Sequence, residues 1–72
     1  MSEPGCPKGE TGKVGYYNRS GELIFLLTTK KNNNDWFFLY EVTPDGALKK
    51  LGKAKTPPEL ENRYKVVEKM FA

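Results

Sequence analysis

Residues 36–64 constrain this chain more than any other stretch, because each short segment there has its own backbone chemistry and no spare residues separate them. Trp36-Phe37-Phe38-Leu39-Tyr40-Glu41-Val42 is dense in aromatic and β-branched side chains, which suit a pleated, half-buried strand. Pro44-Asp45-Gly46 is turn chemistry, and Asp-Gly between two strand patterns predicts a hairpin. The return strand, residues 47–53, carries Lys49, Lys50 and Lys53, with Lys55 just beyond it. Leu48, Lys49, Lys50 and Leu51 fit neither the strand nor the helix period, and lysines at that density suit a sheet edge, where they discourage edge-to-edge pairing. Thr56-Pro57-Pro58-Glu59 then reads as a helix start, with Thr56 as N-cap, Pro57 in the first helical position and Glu59 closing a capping box. Leu60, Tyr64, Val67 and Phe71 follow at i, i+4, i+7 and i+11, one apolar stripe of a single helix over 57–71. Glu61 and Lys65 are spaced as a favourable pair on its outer side.

The preceding chain supplies strands to pair with this unit. Residues 22–30 contain Leu23-Ile24-Phe25-Leu26-Leu27-Thr28-Thr29, a strand pattern bounded by turns on both sides. Asn18-Arg19-Ser20-Gly21 is one of those turns, and Lys31-Asn32-Asn33-Asn34-Asp35 is a polar loop on the other side. Residues 13–18 make a shorter strand. Residues 1–12 hold Pro4, Gly5, Pro7, Gly9 and Gly12 and no large apolar side chain after Met1, so burial cannot offset their ordering entropy, and a disordered arm is expected. The expected architecture is α+β: an antiparallel meander of about four strands, over 13–18, 22–30, 36–43 and 47–53, with one C-terminal helix on one face. Sequential strands joined by short turns favour this order. Residues 13–72 form one small domain, and the starting Met and terminal helix fit a complete small protein.

Several functions are disfavoured by what the 72 residues lack. There is no His and a single cysteine, Cys6. No intrachain disulfide, Cys/His zinc site or His-activated nucleophile is available. Cys6 reads as a free thiol. Gly9-Glu10-Thr11-Gly12-Lys13 lacks the spacing of a phosphate loop and no helix follows it. Glu41 and Asp45 read as a strand and a turn residue rather than an acid/base pair, and the Asn32-Asn33-Asn34-Asp35 cluster as a loop rather than a metal site. The expectation is a non-enzyme with no cofactor, metal or small-molecule substrate. The longest apolar run, residues 23–27, is far below the roughly 20 residues that span a bilayer. With no signal-peptide pattern at the N-terminus, a cytoplasmic location without membrane association is expected. Twelve Lys and Arg against nine Asp and Glu give a formal charge of +3, which permits nucleic-acid binding without requiring it.

Strand side chains alternate between faces. Trp36, Phe38, Tyr40 and Val42 fall on one, and Phe37, Leu39, Glu41 and Thr43 on the other. Both faces are apolar near the middle of the sheet, and one helix covers one of them. An uncovered apolar face marks an interaction surface, which makes a protein partner or homodimer the alternative to DNA. With the helix over Trp36, Phe38 and Tyr40, the outer face offers Phe37, Leu39, Glu41, Leu48 and Lys50.

Trp36, Phe38, Tyr40, Asp45-Gly46, Leu51-Gly52, Thr56, Glu59, Leu60 and Tyr64 stand at a spacing that resembles the three-stranded-sheet-plus-helix DNA-binding module of integrase arm-binding domains and plant APETALA-type domains. The resemblance covers residues 36–64. It implies DNA binding through the sheet face turned away from the helix. Lys49, Lys50, Lys53 and Lys55 would then hold phosphates, with Lys30 and Lys31 flanking them and Phe37 stacking on a base or sugar.

Overall fold

The computed structural model describes residues 7–72. Four strands, β1 (Glu10–Tyr17), β2 (Leu23–Lys30), β3 (Asn33–Val42) and β4 (Leu48–Ala54), form one antiparallel sheet in the order β1-β2-β3-β4. Two short helices, α1 (Pro57–Arg63) and α2 (Val66–Met70), follow. The α+β meander is therefore as the sequence predicts. Three of its details differ.

The first is where the first strand starts. The expected arm over 1–12 falls partly on residues 1–6, Cys6 included, which lie outside the described residues. From Pro7 onward the chain is engaged. The Glu10 amide donates to the Pro7 carbonyl at 3.1 Å, and the Lys31 amide to the Gly9 carbonyl at 3.0 Å. β1 begins at Glu10 because its partners lie across the sheet: Thr28 Oγ1 donates to its carboxylate at 2.6 Å, and Tyr40 Oη lies 3.0 and 3.1 Å from its two oxygens. These contacts span 18 and 30 residues of sequence, so local composition gives no sign of them.

The second is which face the helices cover. The core gathers Tyr16, Phe25, Leu27, Leu39, Ala54, Leu60 and Val66, with Ile24, Phe37, Leu51, Tyr64 and Met70 packed against it. Phe37 and Leu39 thus lie under the helices, and Trp36, Phe38 and Tyr40 on the opposite face, the reverse of the expected assignment. Two bulges select this arrangement. In β4, Gly52 pairs with Leu39 and Lys50 with Tyr40, which leaves Leu51 without a partner and turns it to the core side. That extra residue is why the Leu48–Leu51 run fits neither period. In β2, Phe25 pairs with Tyr16 and Leu23 with Tyr17, so Ile24 bulges toward the same core.

The third is the helix. The chain breaks between α1 and α2 at Lys65, which takes the left-handed conformation (φ 53°, ψ 45°). Tyr64 lies across β4 at Gly52 and its hydroxyl donates to the Leu51 carbonyl at 2.8 Å. A Cβ on Gly52 would collide with that hydroxyl, so the glycine is required by the approach. The break moves the apolar stripe by one residue. Leu60 and Val66 are fully buried, whereas Val67 and Phe71, expected in the core, are 53% and 66% exposed. A left-handed non-glycine residue costs about 1–2 kcal/mol. Burying Leu60 and Val66 contributes about 1.5–3 kcal/mol each, so the two anchors outweigh the break. Thr56 stands at the N-cap without a side-chain cap bond, and Glu59 pairs instead with Arg63 at 3.5 Å. Glu61 does not serve Lys65. It accepts from the buried Tyr16 hydroxyl at 2.6 Å, tying α1 to β1. Burial first, then this bond to a carboxylate, pushes the Tyr16 phenol well above its ordinary range.

Candidate nucleic-acid interface

β1 and β3 begin, and β2 and β4 finish, at one end of the sheet. The turn between β2 and β3 lies there. It is shorter than the five-residue loop the sequence suggests, because Asn33, Asn34 and Asp35 belong to β3. They enter it as an irregular stretch: Lys30 pairs with Asn33, yet the neighbouring Thr29 pairs with Phe37. The three residues between, Asn34, Asp35 and Trp36, have no partner in the register. Thr29 closes the gap. Its side chain is fully buried and its hydroxyl donates to the Trp36 carbonyl at 2.9 Å. Asn33 Oδ1 accepts from the Asp35 amide at 2.9 Å. Trp36 is thereby held at the rim of the face away from the helices, 36% exposed.

Three lysines of β4 and its extension meet the aromatics of that face. Lys50 Nζ lies 4.6 Å from the centroid of the Phe38 ring. Lys53 and Lys55 Nζ lie 5.1 and 5.4 Å from the centroid of Trp36. Each such contact at an exposed site contributes about 0.5–1 kcal/mol, enough to gather the ammonium groups and too little to stop them moving to a stronger partner. Lys30 stands across from Glu10 on β1, so it shares this face, and Lys31 occupies the adjoining turn. Lys8, in the turn before β1, adds a further charge at the same end. Six lysines (Lys8, Lys30, Lys31, Lys50, Lys53 and Lys55) against Glu10 and Asp35 leave an excess of four positive charges on and beside this face. Among the other described residues, six basic and six acidic side chains cancel. The positive excess of the described residues is therefore concentrated on the open face, toward one end of the sheet.

Of the residues singled out in the sequence, Lys30, Lys31, Lys50, Lys53 and Lys55 are brought together. Lys49 is not: it stands opposite Glu41, on the face of Leu39. Phe37 is not either, since it packs against the core under the helices. The sequence reading missed Trp36, because it set the helix over the face of Trp36, Phe38 and Tyr40. The signal that would have found it is its position at the very start of the aromatic run, next to a polar segment. Phe38 and Tyr40 share the open face but are only 5% and 6% exposed, so the exposed aromatic beside the lysines is Trp36, with Tyr17, 44% exposed, farther along on β1.

The opposite end of the sheet holds a shallow cleft between its two hairpin turns, lined by Leu23, Ile24, Val42 and Pro44 with Glu22 and Asp45 beside them. Among the described residues no group of three His, Cys, Asp or Glu is placed to hold a metal ion, and no helix is long and apolar enough to cross a membrane. Comparison with protein-family models, with curated proteins and with solved structures found no match to this chain.

Proposed function

We propose that this chain binds DNA through the lysine-bearing end of its open sheet face. The observation that carries the reading is the segregation of charge: the positive excess of the described residues lies on the face of Trp36, while their other charges cancel. A cluster of this kind attracts the phosphate backbone, and each phosphate it neutralises releases a condensed counterion. Lys30, Lys31, Lys53 and Lys55 are the phosphate-binding groups, with Lys50 extending the track along β4. No arginine stands among them to take a guanine edge in two bonds, so the reading is of contact with the backbone rather than with base edges.

A fluorescence-anisotropy titration against a labelled duplex tests it. Binding in the micromolar range is expected at about 50 mM salt, and about four phosphate contacts give a slope near −4 in log K against log salt. Lys30→Glu with Lys53→Glu and Lys55→Glu is expected to abolish binding, while Lys49→Glu, on the other face, leaves it within about twofold. Absence of binding to both duplex and single strands at that salt sinks the proposal, as does equal loss in the Lys49→Glu control.

The alternative reading, contact with a second copy of the chain, is favoured by one observation. Val67 and Phe71 are exposed one turn apart on and just after α2. Sedimentation separates the two: a concentration-dependent dimer lost in Phe71→Ala supports self-association, and a monomer at all concentrations removes it.

A further inference from the structure

We infer that the preferred ligand of this site is a single strand, with Trp36 as the platform on which an unpaired base stacks. The inference rests on the DNA-binding reading and deepens it. Its carrying observation is that one aromatic, not several, is both exposed and ringed by the clustered charge.

Stacking needs an aromatic face that a base can reach, held rigidly enough that ordering it costs little. Trp36 meets both conditions. Its backbone carbonyl is fixed by the buried Thr29 hydroxyl at 2.9 Å, and its side chain is 36% exposed where Phe38 and Tyr40 are closed off. The lysines are disposed to hold the backbone on both sides of a stacked base. Lys53 and Lys55 lie on the β4 side of Trp36, and Lys30 and Lys31 on the β2 side. Two strand spacings, roughly 10 Å, separate β2 from β4, so one strand crossing β3 at Trp36 runs between the two pairs. The contacts of Lys53 and Lys55 with the ring hold the ammonium groups near it while the site is empty. A base that takes the ring face releases them to its flanking phosphates. A duplex offers the same phosphates but keeps its bases stacked on each other, and gains nothing from Trp36.

The chain has one tryptophan, so the wild-type protein reports on its own site. The probes are a twelve-residue oligothymidylate, a single strand of the same length and charge with its bases removed, and a twelve-base-pair duplex. Oligothymidylate is expected to quench the Trp36 emission and to bind about 5- to 150-fold more tightly than the baseless strand, the range that one stacked base spans. Trp36→Ala is expected to remove that advantage, and Trp36→Phe to restore part of it. Circular dichroism of each variant checks that the sheet is intact, and the quenching measurement needs no variant at all. Binding of oligothymidylate without quenching, or equal affinity for the strands with and without bases, overturns the inference and leaves the DNA-binding reading in place. Failure of all three probes to bind overturns both.

Discussion

The two ends of the sheet are built on different principles. At the end away from Trp36, the β1–β2 and β3–β4 hairpins close in the same way. Asn18 and Glu22 pair across one turn as Thr43 and Ala47 do across the other, with amide-to-carbonyl distances of 2.9 and 2.8 Å. The Gly21 and Gly46 amides donate back to Asn18 and Thr43 at 3.0 and 2.9 Å, and both glycines have φ above +80°. The first residue of each turn also caps it with its side chain: Asn18 Oδ1 accepts from the Ser20 and Glu22 amides, and Thr43 Oγ1 from the Ala47 amide. Every contact lies within five residues of sequence. At the Trp36 end the β2–β3 connection closes through Lys30 and Asn33 alone, and the three residues after Asn33 have no partner on β2. It depends on Thr29, which reaches across to the Trp36 carbonyl, and it collects the charge. The difference shows where irregularity and charge are tolerated: the locally closed end contributes stability by itself, and the irregular end is held from within the sheet and leaves its rim to the lysines.

The largest effect expected on folding tests that dependence. Thr29→Val keeps the shape of the side chain and removes the hydroxyl that satisfies the Trp36 carbonyl. Leaving a part-buried backbone acceptor without its donor costs up to about 1–3 kcal/mol, read as a lower urea midpoint with the slope unchanged. The same variant is expected to loosen Trp36 and weaken its quenching by oligothymidylate. A midpoint shift smaller than that of the glycine variants described next would break the comparison, since the irregular end would then not depend on Thr29.

Gly21→Ala and Gly46→Ala come second. At neither position would an added Cβ have an atom within 4 Å, so crowding plays no part and the cost is conformational alone, about 1 kcal/mol each. DNA affinity is expected to stay within about twofold in both, because these turns lie at the far end from the lysines. Chemical denaturation and anisotropy on the same samples check the pair of statements. A loss of affinity would show that the site extends across the sheet.

These local devices are also what the sequence made legible. Asn18 to Gly21 and Pro44 to Gly46 declare their turns, because asparagine, aspartate and glycine act on their own backbone. Residues 23–29 and 36–42 declare strands by composition. The Trp36 end was less legible for physical reasons. Asn33 to Asp35 carry no strand propensity and are extended only because β2 pairs with part of them. Which face the helices cover was not decidable from alternation, since both faces of β2 and β3 are apolar. The bulges at Ile24 and Leu51 decide it, and each depends on a partner strand. The break at Lys65 follows from Tyr64 docking over Gly52, a contact between segments that the helical period of residues 60–71 does not report. The lysines of the candidate site were visible as a run, but their division between two faces, with Lys49 apart from Lys50, required the register.

The smallest expected effect sharpens the account of the closed end. The Asp45 carboxyl is held below its ordinary value of 3.8, chiefly by the Thr43 hydroxyl and then by the Ala47 amide. A carboxyl with a lower value in the folded chain than in the unfolded one adds stability above the unfolded value, and that contribution is lost as the pH falls through the folded value. The window therefore lies below 3.8. Asp45 is fully exposed, where solvent screens the interaction, so the change is a matter of small differences in melting temperature. Asp45→Asn keeps an oxygen for Thr43 and removes the titration. The wild-type chain is expected to lose more stability than the variant between about pH 6 and about pH 2, with other carboxyls acting equally on both. An equal loss in the two would mean that Gly46 and the backbone bonds close this turn by themselves. The end that looks most dependent on side-chain caps would then stand on its glycine alone.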